Sequence, residues 1–443
     1  MEYIDPRHPR YDELRALFNV AIDRRPALIA RCATPGDVAA ALARARAEGL
    51  AVAVRSGGHS VSGLSTNDGG LVVDVRPMKE LTVDPARRVV RAGAGVTWGE
   101  LDAATQAHGL AVTGGRATST GIAGYTLGGG DGWLARAFGL ACDNLVAVEL
   151  VTAAGRPVRA SATENPELFW ALHGGGGNFG VATAFELELH PLGPTVLAGL
   201  AAWPEDRALE IAREFRDLWL DAPDELGGGL IMMTAGDDPF VPPELVGRTV
   251  AAVVVVHAGP VDEGRDLVRP LLDLEPAFDL VEPMPYTELQ VMLTDPPGFH
   301  HYWSADFHDA MPDAALEVFV EHGRNRATEP TQQILFPWGG AIARVGEDET
   351  PIAHRATPWV THPFAVWSDP AQTADAIAWA RRFRHDIGAH TSGGVYLNYI
   401  GDEGEDRVRA AFGAERYDRL ARIKAEYDPE NVFRGNQNIR PAR

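Results

Sequence analysis

Apolar positions recur along the chain at two spacings, and the change between them marks out its elements. Residues 27–29 form a short apolar run that reads as a strand. Thr34-Pro35-Gly36-Asp37 then carries a helix-start signature, with Thr34 as cap and Pro35 in the first turn. The pattern predicts a helix to Glu48, ended by Gly49, and a second strand over 50–54. Strands follow at 71–75 and 89–92, a helix at 98–108 and a short strand at 110–112. This opening third alternates strand and helix, as α/β or α+β packing requires.

Residues 113–130 have neither period, and so much glycine without a buried face suggests a ligand-binding loop. Residues 144–151 read as a strand, Asn165-Pro166 as the cap of a short helix to Leu172, and 181–189 as a strand with Val181, Thr183, Phe185, Leu187 and Leu189 on one face. Between these last two lies Gly175-Gly176-Gly177-Asn178-Phe179-Gly180, which satisfies the G-x-G-x-x-G dinucleotide pattern. That pattern works after a strand and before a helix, and here the order is reversed, which argues against a nicotinamide-dinucleotide fold.

Pro191-Leu192-Gly193-Pro194 makes a plausible domain boundary. Beyond it long strands (249–257, 331–336, 360–367) alternate with amphipathic helices (206–220, 313–322, 371–387), an α+β texture rich in tryptophan. Large aromatic surfaces there suit a substrate pocket or, more plainly, a large core.

Composition narrows the classes. The 443 residues are 45% hydrophobic and 23% charged, ordinary values for a soluble protein of two domains. The formal charge is -21 with no basic block, which argues against nucleic-acid or anionic-membrane partners. The polar start and the lack of a long apolar run lead us to expect a cytoplasmic protein, as a monomer or homo-oligomer. Cys32 and Cys142 are too few for a disulfide framework or a four-thiolate metal site. His300, His301 and His308 lack the spacing of a zinc helix; with Phe299, Tyr302 and Trp303 they read as pocket lining, and no metal is expected.

The most informative segment is Arg55-Ser56-Gly57-Gly58-His59-Ser60, at the exit of the second predicted strand. Paired glycines can turn successive N–H groups into an anion-binding nest suited to a diphosphate, with Ser56 and Ser60 as added donors. His59 is either a nucleophile positioned by the loop or an ordinary hydrogen-bonded loop histidine.

That segment, continued by Val61-Ser62-Gly63 and Leu71-Val72-Val73-Asp74, resembles the attachment segment of berberine-bridge-enzyme-like flavoproteins, members of the vanillyl-alcohol-oxidase superfamily with a p-cresol-methylhydroxylase-type FAD domain. Gly128-Gly129-Gly130-Asp131-Gly132, residues 138–145, Leu168-Phe169-Trp170-Ala171-Leu172 with 174–180, Tyr396-Leu397-Asn398-Tyr399, Tyr427-Asp428-Pro429-Glu430-Asn431-Val432-Phe433 and Asn436-Gln437-Asn438-Ile439 resemble later family segments in the same order.

The resemblance implies a two-subdomain FAD-binding domain over 1–194, completed by 400–443, and an α+β substrate domain with an antiparallel sheet over 195–399. It implies FAD joined covalently to His59, held by Arg55, Ser56, Gly57, Gly58, Ser60, Gly63, Gly115, Ala117, Thr118, Ser119, Gly121, Gly124, Tyr125, Val181, Asn398, Asn436 and Asn438. Many relatives add a cysteinyl bond where this chain has Ala117, so a single link is expected, with Cys142 a buried small hydrophobe. Gly115 stands where a small residue admits oxygen, which favours an oxidase. Tyr396 or Tyr399 is the implied base. If residues 396–399 are a strand, only one tyrosine faces the flavin, and Tyr396, on the side of Asn398, is the preferred one. Gln333 and Leu335 are expected to share a substrate wall, with Trp338 and Trp303 nearby. The expected function is hydride transfer from a small-molecule alcohol, amine or sugar to FAD and then to oxygen. The alternatives are a dehydrogenase with another acceptor and a flavin-binding protein without turnover.

Overall fold

The computed structural model describes residues 1–292, 297–401 and 404–443. The first sheet has strand order 2–4, 28–31, 71–74, 52–55, the last three parallel. Helix Pro35–Glu48 links Leu28–Arg31 to Val52–Arg55 and begins and ends as its local signals require. Thr34 Oγ1 accepts from the Asp37 N–H at 3.2 Å, Asp37 accepts from the Ala33 and Thr34 N–H groups, and Gly49 closes the helix at φ +66°. The second sheet, order 81–84, 89–93, 181–188, 145–151, 157–161, is antiparallel throughout.

A third, antiparallel sheet dominates the chain beyond residue 194, its central strands being Thr195–Pro204, Thr249–His257, Leu226–Thr234, Gln332–Pro337 and Trp359–Trp367 in that order. Because successive side chains alternate, each strand divides its residues between two layers. Leu230, Leu335 and Trp359 pack with Phe215, Trp219, Phe319 and Phe383 of the covering helices Ala208–Leu220, Asp313–Arg324 and Thr373–Ile387. Ile231, Ile334 and His362 pair across three neighbouring strands and line a cavity on the opposite face. Gly227 lets that face close on the first half of the chain: a Cβ there would lie 2.2 Å from the Trp133 carbonyl oxygen.

Two expectations need correction. Residues 122–127, within the segment read as structureless, form a helix, Ile122–Leu127, begun by Gly121 in extended backbone. Asn165 does not cap Pro166–Ala171 with its side chain; it adopts φ +50° and gives its amide to the Arg159 carbonyl.

The C-terminal helix Ala414–Tyr427 clasps the 174–180 glycine run through a fully buried lysine. Lys424 Nζ donates to Asp428 Oδ2 (2.6 Å), Asn178 O (2.7 Å) and Phe433 O (3.1 Å), while Asn178 Nδ2 donates to Gln437 O and its Oδ1 accepts from the Ile439 N–H. Removing one member of a buried pair leaves the other charge uncompensated. Lys424→Met is expected to lower unfolding free energy by about 3–5 kcal/mol, read by denaturant titration.

Candidate active site

Three glycine-bearing segments, 56–60, 115–128 and 175–180, converge on one cavity of about 580 Å³ with 433–437 and the open face of the third sheet. Two of them interlock. A Cβ on Gly57 would lie 2.2 Å from Gly121 N, and one on Gly121 would lie 2.2 Å from Gly57 N and from Ser56 Oγ, so only two glycines let these backbones touch. The contact brings Ser119 Oγ to 2.9 Å from His59 Nε2.

His59 stacks on Phe18, ring centroids 4.4 Å apart, and Phe18 stacks on His301 at 4.5 Å. Burial, and then the Arg55 charge, push the His59 imidazole down to about 4, so it is neutral near pH 7. Arg55 itself lies behind the loop, donating to Leu14 O and Ala16 O at 2.6 Å each, and Gly58, at φ +80°, leaves room for its guanidinium. Ser56 Oγ donates to Ala94 O.

The polar corner of the cavity is built by Arg116, Asp131, Tyr399 and His362. Tyr399 Oη donates to Asp131 Oδ2 at 2.6 Å; Arg116 Nη1 donates to Tyr399 Oη at 2.5 Å and to Asp131 Oδ2 at 3.1 Å. The Arg116 guanidinium lies 4.0 Å from the Phe336 ring centroid and 4.5 Å from that of Trp133. His362 stacks on Tyr399 at 4.4 Å and is pushed down to about 3 by burial and, less strongly, by Arg116. Burial raises the Tyr399 phenol; Arg116 lowers it and Asp131 raises it.

Residues 26–161 match the FAD binding domain family, and residues 395–440 match the family described as berberine and berberine like. Over 99% of its length the chain is 34% identical to (R)-6-hydroxynicotine oxidase of Paenarthrobacter nicotinovorans, spanning 96% of that protein. The chain belongs to the berberine-bridge-enzyme-like FAD-linked oxidoreductases. It is 31% identical to the uncharacterized FAD-linked oxidoreductase YgaK of Bacillus subtilis over 98% of the chain and 96% of the relative. The crystal structure of 6-hydroxy-D-nicotine oxidase from Arthrobacter nicotinovorans superposes with a TM-score of 0.90, 30% identity, and coverage of 100% of this chain and 98% of that one. The protein is thus an FAD-dependent oxidoreductase with the expected α+β architecture.

The cavity fits that cofactor. A Cβ on Gly124 meets nothing within 4 Å, leaving open space for a ligand, and the buried Asn436 Oδ1 is an acceptor without a partner. Ser56, Gly57, Gly58, His59, Ser60, Gly115, Ala117, Gly121, Gly124, Tyr125, Asn398 and Asn436 line the cavity, as does Trp303. Arg55, Gly63, Thr118, Ser119, Val181 and Asn438 do not, although Ser119 reaches the site through His59. The 175–180 run lines the cavity after a helix and before a strand, so its glycines serve a different geometry from a dinucleotide turn.

The tyrosine geometry departs from expectation. Residues 397–399 form a 3₁₀ turn, not a strand, so Tyr396 and Tyr399 approach each other with ring centroids 4.8 Å apart. Tyr399 lines the cavity and Tyr396 does not. The Tyr396 oxygen accepts from Gly130 N (2.5 Å), Asp131 N (2.9 Å) and Asn398 Nδ2 (3.2 Å), and its phenol is raised chiefly by burial.

The cavity-facing residues of this strand are shifted by one from those expected. Gln332, Ile334 and Phe336 face the cavity, whereas Gln333 and Leu335 point to the opposite layer and Leu335 joins the helix-covered core. Trp338 is buried edge-on against Tyr396. His300, His301 and His308 do not converge: His300 stacks on Trp367, and His308 bonds to Thr361 and His390. Among the described residues no group of three His, Cys, Asp or Glu side chains gathers as metal ligands.

Sequence reasoning missed Phe18, Arg116, Asp131 and His362. Asp131 carried a signal, a lone carboxylate inside a glycine cluster; the others are defined by tertiary contacts.

His301 is pushed down to about 3 by burial and by its histidine neighbours His59 and His300, and neither ring nitrogen has a partner. With its folded value below the unfolded one, the unfolded chain binds more protons between about pH 3 and 6.5, so this contribution to stability is lost as pH falls through that window. His301→Phe is expected to raise stability at neutral pH by about 1 kcal/mol and to flatten the acid decline, measured as the denaturation midpoint against pH.

Proposed function

We propose that the protein is an oxidase that removes hydride and a proton from a small, largely aromatic alcohol or amine and returns the electrons to oxygen as hydrogen peroxide. The observation that carries this reading is a cavity walled by Trp133, Trp303, Phe336, Phe364, Ile231 and Ile334, with its charges confined to the paired Arg116 and Asp131. Such a wall favours flat apolar substrates over oligosaccharides, and similarity to a 6-hydroxynicotine oxidase supports the same choice. Residues 1–194 with 400–443 form the cofactor unit in this reading, and 195–399 the substrate unit.

Bound FAD supplies the hydride acceptor. His59 is its sole covalent anchor: the imidazole is neutral, Nε2 is engaged by Ser119, and Ala117 offers no thiol. Phe18 and Ser119 hold the ring in place. The aromatic wall orients the substrate and excludes water, and Tyr399 takes the proton from the O–H or N–H beside the reacting C–H. Tyr396 lies behind it, with its oxygen already accepting three hydrogen bonds. Gly115 leaves a gap between Trp98 and Tyr125, where a Cβ would meet the rings at 3.1 and 3.2 Å, and in this reading oxygen uses that space.

Acid-precipitated protein is expected to stay yellow, and precipitated His59→Ala to be colourless although its native form retains flavin; a colourless wild-type precipitate refutes the covalent link. Anaerobic bleaching by (R)-6-hydroxynicotine, aromatic alcohols, amines and oligosaccharides tests the substrate class, and reaction with oligosaccharides alone overturns it. Stopped mixing of the reduced protein with oxygen should give fast reoxidation, slowed severalfold in Gly115→Val.

A further inference from the structure

We propose that Asp131 is the proton sink of the site: Tyr399 takes the substrate proton while passing its own to Asp131 Oδ2, and Arg116 holds both groups in line. This rests on the reading of Tyr399 as the base that meets the substrate. In this scheme Asp131 acts through Tyr399 and not on the substrate directly.

A buried phenol is a poor base while it keeps its proton. The hydrogen of Tyr399 already points at Asp131, 2.6 Å away, so accepting a proton on the cavity side and releasing one to the carboxylate requires no side-chain movement. Each handle on Asp131 is fixed. Its N–H donates to Tyr396 Oη at 2.9 Å, its carbonyl accepts from Tyr125 Oη at 2.6 Å, and its carboxylate accepts from Arg116 and Tyr399. Asp131 is 3% exposed, so solvent does not compete for the carboxylate. The other titratable groups facing the cluster bring no further charge: Tyr125 and Tyr396 are phenols raised by burial, and His362 is neutral. One cation and one anion thus surround the reacting phenol before the transfer.

The balance closes on groups already named. The substrate O–H or N–H bond breaks and its proton bonds to Tyr399 Oη; the former Tyr399 O–H bond breaks and that proton bonds to Asp131 Oδ2. Bound FAD would supply the two-electron acceptor for the hydride of the adjacent C–H, so that oxidation of the substrate would be balanced by reduction of the cofactor. Asp131 changes from carboxylate to acid and returns its proton to solvent between turnovers, while Arg116 keeps its charge throughout.

Asp131→Asn tests the idea with little change of shape. With whichever compound of the panel bleaches the wild-type flavin, the limiting bleaching rate should fall about 100-fold with half-saturation nearly unchanged, and Asp131→Glu should recover part of it. Light-driven reduction by an artificial donor should be equal in all variants, showing loaded FAD; absence of flavin would instead defeat the underlying functional reading. A second measurement needs no substrate. Tyrosinate absorbance against pH, with Tyr399→Phe subtracted to assign the signal, should show Tyr399 ionising at lower pH in Asp131→Asn, since the opposing carboxylate is gone and Arg116 remains. Wild-type bleaching in Asp131→Asn, or an unmoved Tyr399 titration, overturns the proposal. Wild-type bleaching in Tyr399→Phe overturns the base on which it rests. If no compound bleaches the flavin, the titration alone decides.

Discussion

The backbones of residues 57 and 121 pass too close for any side chain, and much of the site follows from that approach. A Cβ on either residue would lie 2.2 Å from the other's nitrogen, well inside any tolerable contact. The approach seats the loop carrying His59 against the loop carrying Ser119, and it opens the helix Ile122–Leu127 at Gly121. That short helix presents Gly124 and Tyr125 to the cavity, and Tyr125 in turn holds the Asp131 carbonyl. A single steric constraint is therefore transmitted from the His59 segment to the polar corner through consecutive elements of the backbone.

The polar corner solves a different problem. Placing Arg116 and Asp131 in an apolar cavity carries a desolvation cost, which their contact and the surrounding donors and acceptors offset. Phe336 and Trp133 add their ring faces to the guanidinium. The pair is held from both halves of the chain, because Arg116 and Asp131 precede residue 194 while Phe336, His362 and Tyr399 follow it. Fastening the C-terminal stretch to Asn178 through Lys424 has the same effect on the opposite side of the cavity. The geometry of the polar corner thus depends on contacts between distant parts of the chain.

What the sequence disclosed follows from whether the controlling interaction is local. Helix Pro35–Glu48 appeared with the expected ends because Thr34, Asp37 and Gly49 act within a few residues. The His59 segment was legible through its glycines and its resemblance to family segments. The expected cavity-facing residues slipped by one because both faces of Gln332–Pro337 are buried: alternation shows that two faces exist without saying which meets the helices. The polar Gln333 lies on the helix side, against the usual expectation, while Ile334 and Phe336 face the cavity. The two tyrosines converged because residues 397–399 turn, bringing positions three apart together. Arg116, Asp131 and Tyr399 are separated by 15 and 268 positions along the chain, and no local pattern marks such a meeting.

The histidine stack and the polar corner are separate groups of residues at the site. The stack of His59, Phe18 and His301 contains two imidazoles that burial keeps neutral, so the stack adds no charge to this side of the site. His362, stacked on Tyr399, is neutral for the same reason. The field at the polar corner is consequently set by Arg116 and Asp131 and not by the histidines around it. Because those opposite charges share a short contact, their field falls off quickly toward the aromatic wall. On the proposed reading, a substrate body lying along Trp303 and Phe364 would meet little net charge, and only the bond near Tyr399 would feel the pair. In the proposed reading, electrostatic selectivity is concentrated on the atom that loses its proton, while shape and aromatic contact select the remainder of the molecule.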